Sequence, residues 1–576
     1  MKNRLLALAL TLISFNLFSQ ISFTNGTDLL PISSLYGTHP ISVADINGDG
    51  YDDLVVLDNY KIFFQNPQGG DFTELDLDYD GASSAWGICT GDINNDGYSD
   101  VLYGGYFDGL NIVSHSPFID LYFKTNHGDD DFMVFLQGVN FADLDNDGNL
   151  DIFACHDVGP SRIYLGDGLG GFTMNTTIID THLNGGGEND SGNYGSLFTD
   201  INNDGLIDLY IAKCRQGVSD PTDPRRINIL FINNGDGSFS EVAEDWDLDI
   251  GEQSWSADFG DIDNDGDMDM LLGNHTGEYV QVYINNGDET FSDITTDAGL
   301  SSSFDYHVIQ SKFADFDNDG YLDIIISGSS HIMFAQNNGD NTFEIVEGSN
   351  VFSTTNSFAL GDLNHDGYTD FYSTPGGYGA WGSSGTDSLY LNSGGENNFI
   401  TFNLEGTISN RDGIGARVVI YGSFGQQMRE IRSGESYGIQ NSLTANFGLG
   451  LATSIDSAIV HWPSGLIDKL LSTEANQFIT VTEGASPVGI NNEFKLDFGI
   501  SLYPNPASDH INIVFENTID KQIDLQILNQ LGKEVYNESS IRTSMEVELS
   551  RFEAGIYIFN FWVNSELVES QKITIK

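Results

Sequence analysis

The chain has 576 residues, with 22 Lys and Arg against 85 Asp and Glu, a formal net charge of -63. Such a charge repels nucleic acid and anionic membrane surfaces, so a nucleic-acid partner is excluded. Hydrophobic residues at 40% and aromatic residues at 12% exclude an acidic disordered chain and supply several cores, while the surplus acid calls for neutralising cations, divalent ones first.

The first element is Lys2 and Arg4 followed by an apolar run from Leu5 to Phe18, broken only by Thr11, Ser14 and Asn16, and then Ser19-Gln20. This is the pattern of a secretory signal peptide, residues 1–19. No cysteine follows the run, which speaks against lipoprotein processing, and no later stretch is long and apolar enough to be read as a transmembrane segment. Cys89, Cys155 and Cys214 have no C-x-x-C spacing and are expected as small buried side chains.

From residue 45 the sequence D-x-[DN]-x-D-G-x-x-D occurs seven times, starting at Asp45, Asp92, Asp143, Asp200, Asp261, Asp315 and Asp362. Alternate residues of a tight loop aim oxygens inward, as Ca²⁺ with six to eight oxygen ligands requires, and Gly at position 6 permits the turn. The predicted ligand sets are Asp45, Asn47, Asp49 and Asp53; Asp92, Asn94, Asp96 and Asp100; Asp143, Asp145, Asp147 and Asp151; and Asp200, Asn202, Asp204 and Asp208. The remaining three are Asp261, Asp263, Asp265 and Asp269; Asp315, Asp317, Asp319 and Asp323; and Asp362, Asn364, Asp366 and Asp370. Up to seven structural Ca²⁺ ions are expected.

An EF-hand is excluded, because position 12 is Val56, Tyr103, Ala154, Ile211, Leu272, Ile326 or Ser373 and never the required Glu. Apolar, β-branched runs such as Leu54-Val55-Val56-Leu57 and Ile324-Ile325-Ile326 follow the loops and predict strands. After each strand comes an aromatic-rich segment with an Asn-Gly turn and a Phe, clearest in 231–239, 283–291 and 334–343, the signal of a hairpin. Several short strands per period with no helical periodicity predict an all-β chain whose residues 21–396 form a seven-bladed β-propeller. The last period lacks its Phe-led strand after Asn392-Ser-Gly394, and Ile21-Ser-Phe-Thr24 is expected to supply it and close the ring.

Phe141-Ala-Asp143-Leu-Asp145-Asn-Asp147-Gly and Phe313-Ala-Asp315-Phe-Asp317-Asn-Asp319-Gly resemble the FG-GAP or VCBS repeats of integrin α-subunit propellers and bacterial surface proteins. That resemblance implies loops binding Ca²⁺ as structural staples on one face. Residues 397–483 carry Ser409-Asn-Arg411-Asp-Gly-Ile-Gly415-Ala-Arg417, Arg432-Ser-Gly434, Phe447-Gly-Leu-Gly450 and His461-Trp462-Pro-Ser-Gly465. These resemble the ASPIC/UnbV domain of the cartilage acidic protein family, which implies a small β domain behind the propeller. A linker, 484–496, leads to 497–576, where Leu502-Tyr503-Pro504-Asn505-Pro506-Ala507 and Gly555-Ile-Tyr557 resemble the type A sorting domain of the type IX secretion system. The implied fold there is a β-sandwich, the implied partner is the type IX secretion machinery, and the implied location is secreted or on the outer-membrane surface.

Candidate ligand-contacting residues are sparse. Of eight basic residues between 21 and 400, Lys213, Arg215, Arg225 and Arg226 fall in one insertion, 213–228. Arg215, Arg225 and Arg226 are the candidates for an anionic group, against pairing with nearby carboxylates. His156, His275 and His331 are candidate bases that lack an evident partner. Trp86 and Trp255 sit six residues before their loops, which favours packing, whereas Trp381 is the expected exposed aromatic. The expected function is calcium-dependent, non-enzymatic binding of a glycan or protein, or adhesion. The rival is a propeller-based polysaccharide lyase.

Overall fold

A computed structural model describes residues 21–485 and 500–576 apart from 33–34, 36–39, 58–60, 68–70, 78–84, 117–120, 128–130, 301–306, 329–331, 347–356, 376–385, 504–506, 516–522, 530–532, 542–544, 553–554 and 564–565. The signal peptide, His331, Trp381, Pro504 to Pro506 and most of the 484–496 linker lie outside the described residues.

Each repeat folds the same way because the loop reverses the chain between two buried strands. The inner strands are Ile41–Ala44, Ala85–Gly91, Leu136–Ala142, Asn193–Thr199, Ser254–Gly260, Val308–Ala314 and Ser357–Gly361. Every second strand starts on a position-9 aspartate, as in Asp53–Val56, Asp151–His156 and Asp323–Gly328. Third and fourth strands follow antiparallel, giving four-stranded sheets ordered as in the chain. The all-β propeller class expected from the repeats is the one formed.

The inner strands touch in succession, and Ile41–Ala44 of sheet 1 also touches Ser357–Gly361 of sheet 7. Apolar clusters fill the spaces between neighbouring sheets. One joins Val43, Leu54 and Phe63 of sheet 1 to Ala359, Tyr372 and Leu389 of sheet 7. Hairpin amides stitch one repeat to the loop before it: Asn285 Nδ2 donates to Ile201 O at 3.3 Å, Asn337 Nδ2 to Ile262 O at 2.9 Å and Asn392 Nδ2 to Phe316 O at 2.7 Å. Gln65 Nε2 does the same to Asp362 O at 3.0 Å, so sheet 1 is tied to sheet 7.

Phe23–Asn25 pairs antiparallel with Ser388–Asn392, Phe23 opposite Asn392. Phe23 packs edge-on to Phe371 at 4.8 Å. The N-terminal strand thus completes the last sheet, as its likeness to the Phe-led strands foretold.

Residues 398–482 form two further sheets, one ordered 445–450, 398–405, 477–482 and one ordered 425–430, 417–422, 454–461, 467–474. They are not an independent module, because Phe402, Phe447 and Val460 share one apolar cluster with Phe141, Leu150 and Ile152 of the propeller. Contacts group the chain up to Gly489 as one compact unit and Ile490–Lys576 as a second. The second unit has a three-stranded sheet and a four-stranded sheet, with Ile511 and Val547 from one meeting Leu525 and Phe559 from the other in a common core.

Removing residues 21–29 leaves Ser388–Asn392 as an open sheet edge, which invites intermolecular pairing. The expected outcome is a melting temperature lowered by several degrees, with concentration-dependent association on size-exclusion chromatography; an unchanged melting curve refutes the closing role of Phe23–Asn25.

Candidate functional site

In every loop the chain turns through left-handed backbone twice. Position 6 is Gly at φ between 84 and 99°, and position 4 is Gly48, Asn95, Asn146, Asn203, Asn264, Asn318 or His365, the non-glycine residues at φ between 56 and 62°. Asn tolerates this region and Gly favours it, which explains the Asn that recurs at position 4. The position-1 carboxylate then gathers the loop amides: Gly50 N–H donates to Asp45 Oδ2 at 2.7 Å, and Gly320 N–H to Asp315 Oδ2 at 2.9 Å.

Position 9 has a second duty that sequence spacing did not show. Asp151 accepts the Leu144 and Gly166 amides, both at 2.8 Å, and Asp323 accepts those of Phe316 at 3.0 Å and Asn337 at 2.8 Å. Each such aspartate clamps its loop to the third strand, so this residue type serves the backbone as well as any cation.

Three loops bring three carboxylates together, with one oxygen of each lying within 4.8 Å of the others: Asp143, Asp145 and Asp151; Asp261, Asp263 and Asp265; Asp315, Asp317 and Asp323. That spread is about twice a Ca–O distance of 2.3–2.6 Å, so the oxygens fit around one hard divalent ion. Burial, with neighbouring aspartates adding, pushes the carboxyl of Asp143 up to about 7 and that of Asp151 up to about 8; Asp261 is raised to about 7 by the same causes. The remaining loops carry Asn at position 3, so they gather fewer carboxylates. Two of them receive a cation from 398–482: Arg417 Nη2 is 3.1 Å from Asp200 Oδ2, and Arg411 Nε is 3.7 Å from Asp92 Oδ2.

The region 398–482 therefore covers the loop face of the propeller. Its segment 431–442, between the strands Gly425–Glu430 and Ala445–Gly450, runs into the central channel. Ile439–Gln440 adds a parallel strand to Ile41–Ala44. Gly434 is needed there, with φ 77° and Val139 O only 2.0 Å from where a Cβ would stand. Tyr437 is 1% exposed, donates its hydroxyl to Gln137 Oε1 at 2.6 Å and accepts Gln310 Nε2 on its carbonyl at 2.7 Å.

Charge inside the channel is paired. Arg432 reaches Glu430 at 3.0 Å and Asp258 at 3.4 Å, while Lys312 reaches Asp258 at 3.0 Å and Glu435 at 2.5 Å. Burial alone would raise the Glu430 carboxyl, yet Arg432 and Arg417 outweigh it and hold the group below its ordinary value.

Among the described residues the other end of the channel is open. A cavity of about 350 Å³ there has Trp86, Phe135, Tyr194 and Trp255 in its walls and Tyr437 from the inserted segment on its floor. Trp255 is buried and donates Nε1–H to Cys214 Sγ at 3.1 Å. The packing role expected of Trp86 and Trp255 is thus combined with lining this mouth. Their shared offset from the loops was the available signal, because it places both at the start of an inner strand. All three cysteines are free and buried.

The insertion 213–228 holds its arginines in carboxylates. Arg215 lies 3.1 Å from Asp157, Arg225 lies 2.7 Å from Asp223 and 3.6 Å from Glu188, and the buried Arg226 lies 3.9 Å from Glu252. Glu188 belongs to the 176–196 insertion, so these two irregular segments pack together. Lys213 is buried, and burial lowers its amine to about 8.

Comparisons with known proteins agree with this architecture. The FG-GAP-like repeat model matches residues 45–103, 143–211, 200–272, 267–326 and 315–373. The chain belongs to the FG-GAP-repeat family. The ASPIC and UnbV model matches 406–488, and the secretion system C-terminal sorting domain matches 501–576, which makes this FG-GAP-repeat protein secreted or displayed on the outer-membrane surface. Among its described residues no helix is long and apolar enough to cross a membrane. Cartilage acidic protein 1 of Xenopus tropicalis is 28% identical over 259 residues, 42% of this chain and 38% of the relative, and that of Homo sapiens is 29% identical over 258 residues, 41% and 37%. The match thus spans under two-fifths of these relatives. Solved structures similar to it include an Agrocybe aegerita lectin specific for non-reducing terminal N-acetylglucosamine, with 19% identity, TM-score 0.39, 56% of this chain and 85% of the other. The extracellular domain of a putative hybrid two-component system from B. thetaiotaomicron gives 10% identity, TM-score 0.37, 97% of this chain and 59% of the other.

Arg432→Ala leaves Glu430 and Asp258 buried with one cation fewer, and breaking a buried pair in this way costs about 3–5 kcal/mol. Thermal unfolding reads that loss, and the double variant Arg432→Met with Glu430→Leu is expected to recover part of it. A second outcome concerns acid. Burial lowers the imidazoles of His156 and His275 to about 4, against 6.5 for a free side chain, and neutral His156 Nδ1 accepts the Phe135 amide at 3.1 Å. Both histidines therefore contribute stability that is complete above about pH 6.5 and is lost as pH falls towards 4. The melting temperature of His156→Gln should fall less over that interval than that of the parent, and parallel curves refute the assignment.

Proposed function

We propose that this protein is a calcium-loaded, secreted or surface-displayed binding protein that acts without turnover. The observation that carries the calcium assignment is the gathering of carboxylate oxygens within 4.8 Å in three loops, an arrangement that repels itself unless a cation sits inside. The seven loops then staple the inner strands to the second strands, and the sorting domain delivers the product through the type IX machinery.

Absence of turnover is supported by how the candidate groups at the mouth are engaged. His275, which lines the cavity, stacks on Trp255 at 5.0 Å and on His307 at 4.2 Å, and the Asp157 carboxylate takes Gln137 Nε2 at 3.1 Å as well as Arg215. Neither is left as a free acid or base pointing at the cavity. What remains there is a rigid, aromatic-walled concavity on a scaffold braced from the opposite side, which suits recognition.

Calorimetric titration of chelator-treated mature protein should show up to seven equivalents, the loops at Asp143, Asp261 and Asp315 filling first. Asp317→Ala should remove one tight equivalent. Saturation at about 100 times the dissociation constant adds about 2.7 kcal/mol per site, so calcium should raise the melting temperature strongly. No uptake, with melting unchanged by chelator, overturns the calcium assignment. Release of unsaturated or reducing-end sugars from a polysaccharide overturns the absence of turnover.

A further inference from the structure

The mouth of the channel continues outward as a strip of aromatic rings. Trp86 meets Phe135 edge-on at 5.3 Å, Phe135 meets Tyr106 at 5.0 Å, and Tyr106 meets Phe107 at 5.2 Å. Tyr106 is 62% exposed and Phe107 36%. Solvent exposure of two adjacent aromatics is costly unless something covers them.

Their turn is built rather than slack. Phe107 sits at φ 53°, where a bulky side chain is disfavoured by about 1–2 kcal/mol. Its amide donates to Val134 O at 3.0 Å, and Asp108 Oδ1 accepts the Gly105 amide at 2.9 Å. Backbone strain held in place by such bonds points to a demand for the ring where it stands.

The charge of the mouth differs from that of the molecule. In a chain of net charge -63, the carboxylate that lines the cavity among the described residues is Asp157, and Arg215 lies 3.1 Å from it. Beside the aromatic walls stand Gln137, Gln253 and the exposed Gln216. Amides and aromatic faces without net charge match a ligand that has apolar faces, many hydroxyls and no charge. The volume, about 350 Å³, falls within the ~300–1,000 Å³ typical of pockets for small ligands.

We propose that the channel mouth binds an uncharged saccharide, one ring entering the cavity above Tyr437 and the rings that follow stacking along Trp86, Phe135 and Tyr106. This assignment rests on the binding function proposed above and adds the ligand class and the place. An acidic polysaccharide is disfavoured by the charge of the whole chain, and a basic protein partner by the charge balance of Asp157 with Arg215.

The test uses the calcium-treated mature chain on immobilised fragments of β-glucan, mannan, xylan and galactan, with alginate and a sulfated galactan as acidic controls. The parent should retain at least one uncharged fragment. Trp86→Ala and Tyr106→Ala should each weaken retention at least 10-fold, and Phe107→Gly, which suits the backbone, should weaken it while melting stays at or above the parent value. Retention of acidic fragments alone, or of none, overturns the saccharide class. Equal retention by parent and variants overturns the place while leaving a binding function standing. Release of reducing ends strikes the absence of turnover and leaves the site intact.

Discussion

Carboxylate crowding governs this molecule. Each repeat spends four oxygen-bearing side chains on nine residues, and the positions that are most buried, 1 and 9, are also those that hold the loop backbone together. In Asp53, Asp100 and Asp370, as in the other copies, the carboxyl is pushed well above its usual range, with burial the main cause. Asp53 and Asp370 each accept one amide from the loop and one from the third strand, so they cannot retreat to solvent without loosening both. Either protons or a cation must compensate, and the apolar strands that follow can pair only if one of them does. Fold and charge compensation are therefore one problem in this chain.

A second constraint arises at the axis. Inner strands arranged in a ring leave a channel whose walls include polar and charged groups, among them the buried Asp258 and Gln310 and the mostly covered Lys312. Water alone would leave these ions poorly compensated. The inserted segment resolves this by bringing Arg432, Glu430 and Glu435 to Asp258 and Lys312, and Tyr437 to Gln137 and Gln310. Because its two flanking strands lie on the loop face, the same insertion covers one end of the channel and leaves the other open.

Legibility in the sequence followed periodicity. The loops recur with fixed internal spacing, so their residues, the strands beginning at position 9 and the Phe-led fourth strands were all readable, including the displaced copy at Ile21–Thr24. The inserted segment occurs once, has no period, and its residues Arg432, Gly434 and Tyr437 reach, besides Glu430 and Gln440 nearby, partners 127 to 300 residues away in sequence. Nothing local marks them, apart from Gly434 beside Arg432 in the ASPIC-like motif. The arginines of 213–228 show the converse case. Their clustering was visible, but Asp157 and Glu188, which engage them, come from other segments and were not. Position 9 lay between these extremes: its acid was readable, its duty to the third strand was not.

The asymmetry between the two ends of the channel gives the molecule a direction. On the loop face, 398–482 sets polar and charged groups against the repeats; among them the Asp412 carboxylate accepts the Asp92 amide at 2.5 Å, and the Ser442 hydroxyl donates to Asp52 Oδ1 at 2.7 Å. A ligand arriving there would have to displace a shared core that includes Phe141, Ile414 and Phe447. At the mouth, by contrast, nothing among the described residues apart from side chains of the inner strands and their connecting turns intervenes between Tyr437 and solvent. Variation in those turns is cheap, because the hydrogen bonds that close each sheet lie further along the strands. The chain can thus keep its loops nearly invariant from repeat to repeat while the turns at Tyr106, Gln216 and Thr276 differ from one another, and a surface meant for one particular ligand is most easily assembled from such unequal turns around a common axis.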